Sequence, residues 1–162
     1  MNNSSKKQIE KNLVLIGGGH SHLNVLKSFS MNKIDGLRIT LISDVYETPY
    51  SGMLPGYIEN DYSLEDIKID LYKICYHGNF RFIDSEVNNV DGNKKLIYFR
   101  NRPPLNFDYL SINIGINNDI KKIKNADKFA LRLKPISKID YNEIINNLEG
   151  KKIGIIGSGQ LE

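Results

Sequence analysis

The apolar positions change period twice within the first 42 residues. Leu13-Val-Leu-Ile16 is an unbroken apolar run, the pattern of a strand covered on both faces. Leu23, Leu26 and Phe29 or Ser30 then recur at helical spacing, with Val25 alongside. After a turn at Asp35-Gly36, Leu37-Arg-Ile-Thr-Leu-Ile42 reads as a second strand. The three segments make a βαβ unit of about 30 residues, the length a parallel crossover requires.

Residues 44–62 break this rhythm, because Pro49, Gly52, Pro55 and Gly56 prevent any long regular element. Tyr46, Tyr50, Met53, Leu54 and Tyr57 make the stretch too apolar for disorder, and a loop folded against a ligand is expected. Ser63-Leu-Glu-Asp66 carries a helix-start signal with Asp in place of the usual Glu or Gln, and predicts a helix to about Tyr76 that ends near Gly78. Phe80–Asp84 reads as a third strand. Glu86-Val87 through Phe99 reads as two strands joined at Asp91-Gly92-Asn93. Arg102-Pro-Pro104 closes that excursion, and Tyr109-Leu-Ser-Ile-Asn-Ile-Gly115 is another apolar strand ending on glycine.

The polar stretch 116–127 reads as a connection. Tyr141, Ile144, Ile145 and Leu148 share one helical face with Gly150 placed as its C-terminal cap, and Lys152–Ile156 reads as a closing strand.

Length and composition narrow the function classes. The chain of 162 residues suffices for one substantial core, and its net charge of +3 is spread rather than gathered into a stripe. Lys121-Lys122-Ile-Lys124, the densest basic cluster, reads as a solvated loop, so no nucleic-acid partner is expected. Cys75 is the single cysteine, which excludes a redox-active cysteine pair within these residues and reads as a packed or semi-exposed thiol. The polar first residues lack the apolar segment of a signal peptide, and no apolar stretch approaches membrane-spanning length, so a cytoplasmic location is the expectation.

The chemistry concentrates at two glycine motifs near the two ends. Asn12-Leu-Val-Leu-Ile-Gly17-Gly-Gly19-His-Ser-His22 and Lys152-Ile-Gly-Ile-Ile-Gly157-Ser-Gly159 are each an apolar run breaking into G-x-G, as where a first strand turns into a phosphate-binding helix. Gly17 permits the tight turn, and Gly19 lets the backbone approach a pyrophosphate at the helix N-terminus. His22 stands where the fingerprint has its third glycine, the one that brings helix and strand close. His20 and His22 fall short of a metal-ligand set, and contact or packing at the phosphate turn is expected of them. Ser43 or Asp44, at the end of the second strand, would meet a ribose, with Asp44 as a solvated turn residue the competing reading.

Gly17-Gly-Gly-His-Ser-His22, Thr48-Pro-Tyr-Ser-Gly-Met-Leu-Pro-Gly56, Asp70-Leu71 and Asp108-Tyr-Leu-Ser-Ile-Asn-Ile-Gly115 together resemble one family. It is the pyridine-nucleotide-dependent FAD oxidoreductases related to type II NADH dehydrogenases. Within it, the sequence looks closest to the oxidoreductase module fused ahead of selenophosphate synthetase (selenide, water dikinase). The resemblance runs from Asn12 onward, and Pro49 to Gly56 is its most specific stretch.

The resemblance implies a Rossmann-like α/β FAD-binding fold, with a parallel sheet and a β-hairpin or meander excursion, followed by the first strand of a second dinucleotide domain. It implies a polar tail over 1–11, an FAD-binding domain over 12–116, a linker and helix over 117–150, and the start of an NAD(P)-binding domain over 151–162. Gly17, Gly19, His20 and Ser21 would hold the FAD pyrophosphate, Ser43 or Asp44 the ribose, and the Val87 backbone the adenine. Pro49, Tyr50 and Ser51 would lie toward the flavin ring. Asn113-Ile114-Gly115 takes the place of the family's Ala-Thr-Gly turn, where only Gly115 matches, and Gly157 and Gly159 would begin the NAD(P)H site.

The implied activity is hydride transfer from NAD(P)H to FAD and electron delivery to a small-molecule acceptor such as a quinone, with no general acid or base named. The implied setting has no transmembrane segment, room for peripheral membrane contact, and selenophosphate synthetase as a fused or associated partner. The chain reads as the front part of a larger flavoprotein, inactive alone and prone to self-association, with Leu161-Glu162 a candidate cloning remnant. The competing class is a non-enzymatic dinucleotide-binding module or scaffold.

Overall fold

A computed structural model describes residues 9–115, 123–131 and 150–154. Its elements begin with β1 (Lys11–Ile16), α1 (His20–Met31), β2 (Leu37–Ser43), β3 (Glu47–Pro49), α2 (Leu54–Ile58), α3 (Leu64–Ile67), β4 (Lys68–Asp70) and α4 (Leu71–Gly78). They continue with β5 (Arg81–Asp84), β6 (Val87–Asp91), β7 (Leu96–Phe99), β8 (Leu105–Asn106), β9 (Tyr109–Ile112) and α5 (Ala126–Phe129). The chain divides into two compact units, one drawn from Met1–Glu47 and Asp70–Ile114, the other from Thr48–Ile69 and Gly115–Glu162.

The first unit is built on a parallel sheet of order β5-β2-β1-β9. The strands run outward from β1 through β2 to β5, and β9 then returns to the opposite side of β1. Strand order therefore reverses between β1 and β9, the switch point of a doubly wound sheet. The three-stranded antiparallel sheet β6-β7-β8 is the excursion between β5 and β9.

Alternation along the strands explains how both faces are covered. Val14, Ile16, Ile42 and Ile83 pack with Ile97, Phe99 and Phe107 of the meander in one buried cluster. Leu15 and Leu41, one residue out of step, are also buried and face the other side of the sheet. Helices α1 and α4 pack on each other, and α4 reaches β5; they contribute buried Leu26, Leu71 and Cys75. The continuous apolar run read over residues 13–16 suits a strand covered in this way.

Two local readings are revised. The helix expected from Ser63 to Tyr76 is interrupted: α3 ends at Ile67, Lys68–Asp70 pairs as β4 with β3, and α4 begins anew. Asp70 causes the restart, because its carboxylate caps α4 by accepting from the Lys73 N–H at 2.8 Å. The hairpin turn expected at Asp91-Gly92-Asn93 extends to Lys95, which takes φ +54°, while the Asp91 carboxylate accepts from the Lys94 N–H at 2.9 Å.

The second unit has its own cluster, with Leu54, Tyr57 and Ile67 buried and Met53 and Leu64 packed against them. Ser63 and Asp66 form a reciprocal capping box at α3 despite the Asp-for-Glu departure. Residues 44–62 thus hold short elements only: β3, a 3-10 turn at Ser51–Met53, and α2. The helix expected over Tyr141–Leu148, together with Gly157 and Gly159, lies outside the described residues, as does the closing strand beyond Gly154.

Candidate dinucleotide site

The carboxyl ends of the central strands finish level, since Ile16 of β1 pairs in register with Ile42 of β2 and with Ile112 of β9. Beyond that level lies a cleft of about 380 Å³, lined by Ile16, Gly17, Ile42, Ser43, Asp44, Ile112 and Ile114 from these strand ends and by residues 85–90 from the start of the meander. A crevice outside the carboxyl ends at a switch point is where open α/β sheets bind ligands.

The glycine turn is fixed from three sides. The Gly17 N–H donates to the Ile42 carbonyl at 2.8 Å, and the Asn113 N–H donates to the Ile16 carbonyl at 2.8 Å. Gly17 has φ +92°, and a Cβ there would overlap the Asn113 backbone. A Cβ at Gly19 would instead overlap the Asn113 side-chain amide, and one at Gly18 the Leu71 side chain. Gly17 is thus required by its positive φ and the close approach of Asn113 backbone, whereas a side chain at Gly19 would displace the Asn113 amide.

Helix α1 starts at this turn with Gly19 as its N-cap, no side-chain cap and no acidic residue in its first turn. The positive end of the helix dipole lies at this turn and favours an anion. His20 and Ser21 occupy that first turn and are exposed, and the His20 ring lies 3.2 Å from the Asn24 amide. His22 goes the other way: it is 1% exposed, with Nδ1 2.7 Å from the Gly17 carbonyl oxygen and Nε2 2.9 Å from Ser111 Oγ. The carbonyl can only accept, so Nδ1 carries the proton and Nε2 accepts from the Ser111 hydroxyl. Burial pushes the imidazole pKa down, partly opposed by the bond to Gly17, which suits a neutral ring.

At the β2 end, Ser43 is buried, and its Oγ accepts from the Val45 N–H at 3.3 Å while its carbonyl accepts from the Ser85 N–H at 3.0 Å. Asp44 is exposed on the cleft wall, and Glu86 shares that wall. Val87 opens β6 and also lines the cleft, next to a register shift between Val87 and Asn89. Among the described residues, no Lys or Arg lines this cleft.

Gly17, Ser43, Asp44 and Val87 therefore line one cleft in the first unit, with Gly19, His20 and Ser21 on the turn and helix that leave it. Gly115 follows Ile114 with φ +73°. Pro49, Tyr50 and Ser51 belong to the second unit, where the Tyr50 N–H donates to the Ile67 carbonyl at 2.7 Å and extends the short ladder. Sequence reasoning gave no site role to Glu86 or Ser111, and reached Asn113 only as part of the turn that stands in for the family's Ala-Thr-Gly. Glu86 lies two residues past the end of β5, a position that could have drawn notice; Asn113 and Ser111 matter only through strand register.

The sheet order, the level strand ends and the glycine turn define a doubly wound α/β fold of the dinucleotide-binding type. No protein-family model matches the chain. It is similar to the NADH dehydrogenase-like protein YutJ of Bacillus subtilis, 25% identical over 156 residues, a match covering 92% of this chain and 42% of that protein. Among solved structures it resembles the sulfide:quinone oxidoreductase of Aquifex aeolicus, with a TM-score of 0.56 and 26% identity over 65% of this chain and 24% of that one. It shares its fold with NDH2 from Plasmodium falciparum in complex with NADH, with a TM-score of 0.62 and 22% identity over 75% of this chain and 25% of that one. The chain thus spans about two-fifths of the curated relative it matches.

Proposed function

We propose that this chain is the FAD-binding part of a flavoprotein oxidoreductase that takes a hydride from NAD(P)H and passes electrons to an acceptor such as a quinone. The observation that carries the reading is the uncapped start of α1, set on a glycine turn at the switch point beside a cleft. Likeness to YutJ and to the sulfide:quinone oxidoreductase supports the redox class.

The groups present fit a dinucleotide. We assign the pyrophosphate to Gly17, Gly19 and the first turn of α1 with His20 and Ser21, where amides and a hydroxyl replace cations. The adenosine ribose falls to Asp44 or Ser43, with Glu86 as a second carboxylate on the same wall, and the adenine to the Val87 backbone. Pro49, Tyr50, Ser51 and Gly115 are assigned toward the flavin, and Gly157 and Gly159 to the nicotinamide nucleotide, on sequence resemblance alone. When bound, the flavin supplies the redox chemistry, and this chain's residues bind and orient it. A cytoplasmic location with peripheral membrane contact, and association with selenophosphate synthetase, belong to the same reading and rest on motif resemblance.

Denaturing the full-length protein and identifying the released nucleotide tests the reading. FAD is expected; a preparation that releases none and cannot be reconstituted with FAD points instead to a non-enzymatic nucleotide-binding module.

A further inference from the structure

We infer that His22 is a positioning residue that sets the orientation of the Gly17–Gly18 peptide and so presents the Gly18 N–H to the dinucleotide phosphate. The inference rests on the dinucleotide reading above and adds a role for the residue that replaces the third glycine.

The geometry is specific. The Gly17 carbonyl accepts from His22 Nδ1 at 2.7 Å, on the buried side of the turn. A planar trans peptide points its N–H opposite to its C=O, so the Gly18 N–H is turned away from His22 and the core. Among the described residues that N–H has no hydrogen-bond partner. The Gly17 N–H is already used on Ile42, so it cannot serve a ligand. Without a donor at His22, the Gly17 carbonyl would be buried and unsatisfied, and glycines on both sides would let the peptide plane flip toward solvent.

Ser111 completes the arrangement. Its hydroxyl, 2.9 Å from Nε2, occupies the other ring nitrogen and leaves the proton on Nδ1, where Gly17 needs it. Ser111 is on β9 and His22 on α1, so one ring ties the helix, the turn and the returning strand at the switch point. A glycine at position 22 would allow closer helix packing but would supply no such donor.

Two substitutions separate this role from space filling. The amide nitrogen of Asn stands as many bonds from Cα as Nδ1 and can serve Gly17; the longer Gln reaches toward Ser111 and not Gly17. The test measures dissociation constants for ADP, FAD and NADH on the full-length protein, beside the thermal midpoint of the ligand-free form. His22→Asn is expected to keep affinity near wild type, while His22→Gln loses about tenfold or more, the scale of one hydrogen bond to a charged group. Leu26→Ala, which opens the buried side of the same helix, should lower the midpoint yet leave the affinity of the folded protein unchanged.

Gln binding as well as Asn, or Leu26→Ala losing as much affinity as Gln, would overturn the inference and leave the flavoprotein reading intact. If FAD is refused but ADP and NADH bind with the Asn-over-Gln ranking, the inference stands and the flavin assignment falls. A wild-type protein that binds none of the three overturns both.

Discussion

Asp108 and Asn12 hold each other twice across 96 residues of chain: the Asn12 N–H donates to Asp108 Oδ2 at 2.8 Å, and the Asp108 N–H donates to the Asn12 carbonyl at 2.9 Å. The pair sets β9 against β1 at the end of the sheet away from the cleft. The Leu13↔Tyr109 to Ile16↔Ile112 register follows from there and brings Asn113 to the glycine turn.

The Asn12 amide is the main cause holding the Asp108 carboxyl below its ordinary value, helped by the Lys11 ammonium at 3.2 Å. A depressed folded-state pKa contributes stability that is present above the ordinary carboxylate range and lost as pH falls through the folded value. Thermal midpoints should therefore favour wild type over Asp108→Asn at neutral pH, with the gap closing on acidification. A gap independent of pH would contradict this.

Gly17 and Gly19 should fail differently. Gly17→Ala meets Asn113 backbone at a positive φ and should cost about 2 kcal/mol or more of folding stability. Gly19→Ala first meets the Asn113 side-chain amide, which can rotate, so the fold should survive while nucleotide affinity drops. Denaturant unfolding of the ligand-free protein beside ligand titration separates the two.

Asp70→Ala should remove the α4 cap and cost about 1 kcal/mol, read from the shift in denaturant midpoint. Asp70→Asn or Asp70→Ser should recover most of it, because each keeps a capping oxygen.

Cys75 is 1% exposed, and burial pushes its thiol up to about 11. The native protein should react negligibly with a disulfide reagent near neutral pH and react fully once unfolded. Fast labelling of the folded protein would contradict the packing of α4.

Most of the first unit was legible because β1 carries an unbroken apolar run, β2 and β9 are largely apolar, and its glycines sit where a strand must turn. The break between α3 and α4 was hidden because Ile67, Leu71 and Cys75 continue a helical apolar spacing straight through it; only the Asp70 cap betrays it. Of the residues lining the cleft, Gly17, Ser43 and Asp44 were singled out from strand ends and Val87 from motif resemblance. The bond from His22 to Ser111 was not, because it joins residues 89 apart whose meeting depends on β9 lying beside β1. The roles given to Pro49, Tyr50 and Ser51 come from motif resemblance, because no periodicity marks a flavin contact.

The most direct test is an anaerobic titration of the full-length, FAD-reconstituted protein with NADH and NADPH, followed in the visible flavin band. Bleaching by one of them, reversed on adding a quinone, is the result this account predicts. A protein that takes up FAD yet keeps an unbleached band with both nucleotides would contradict the oxidoreductase assignment.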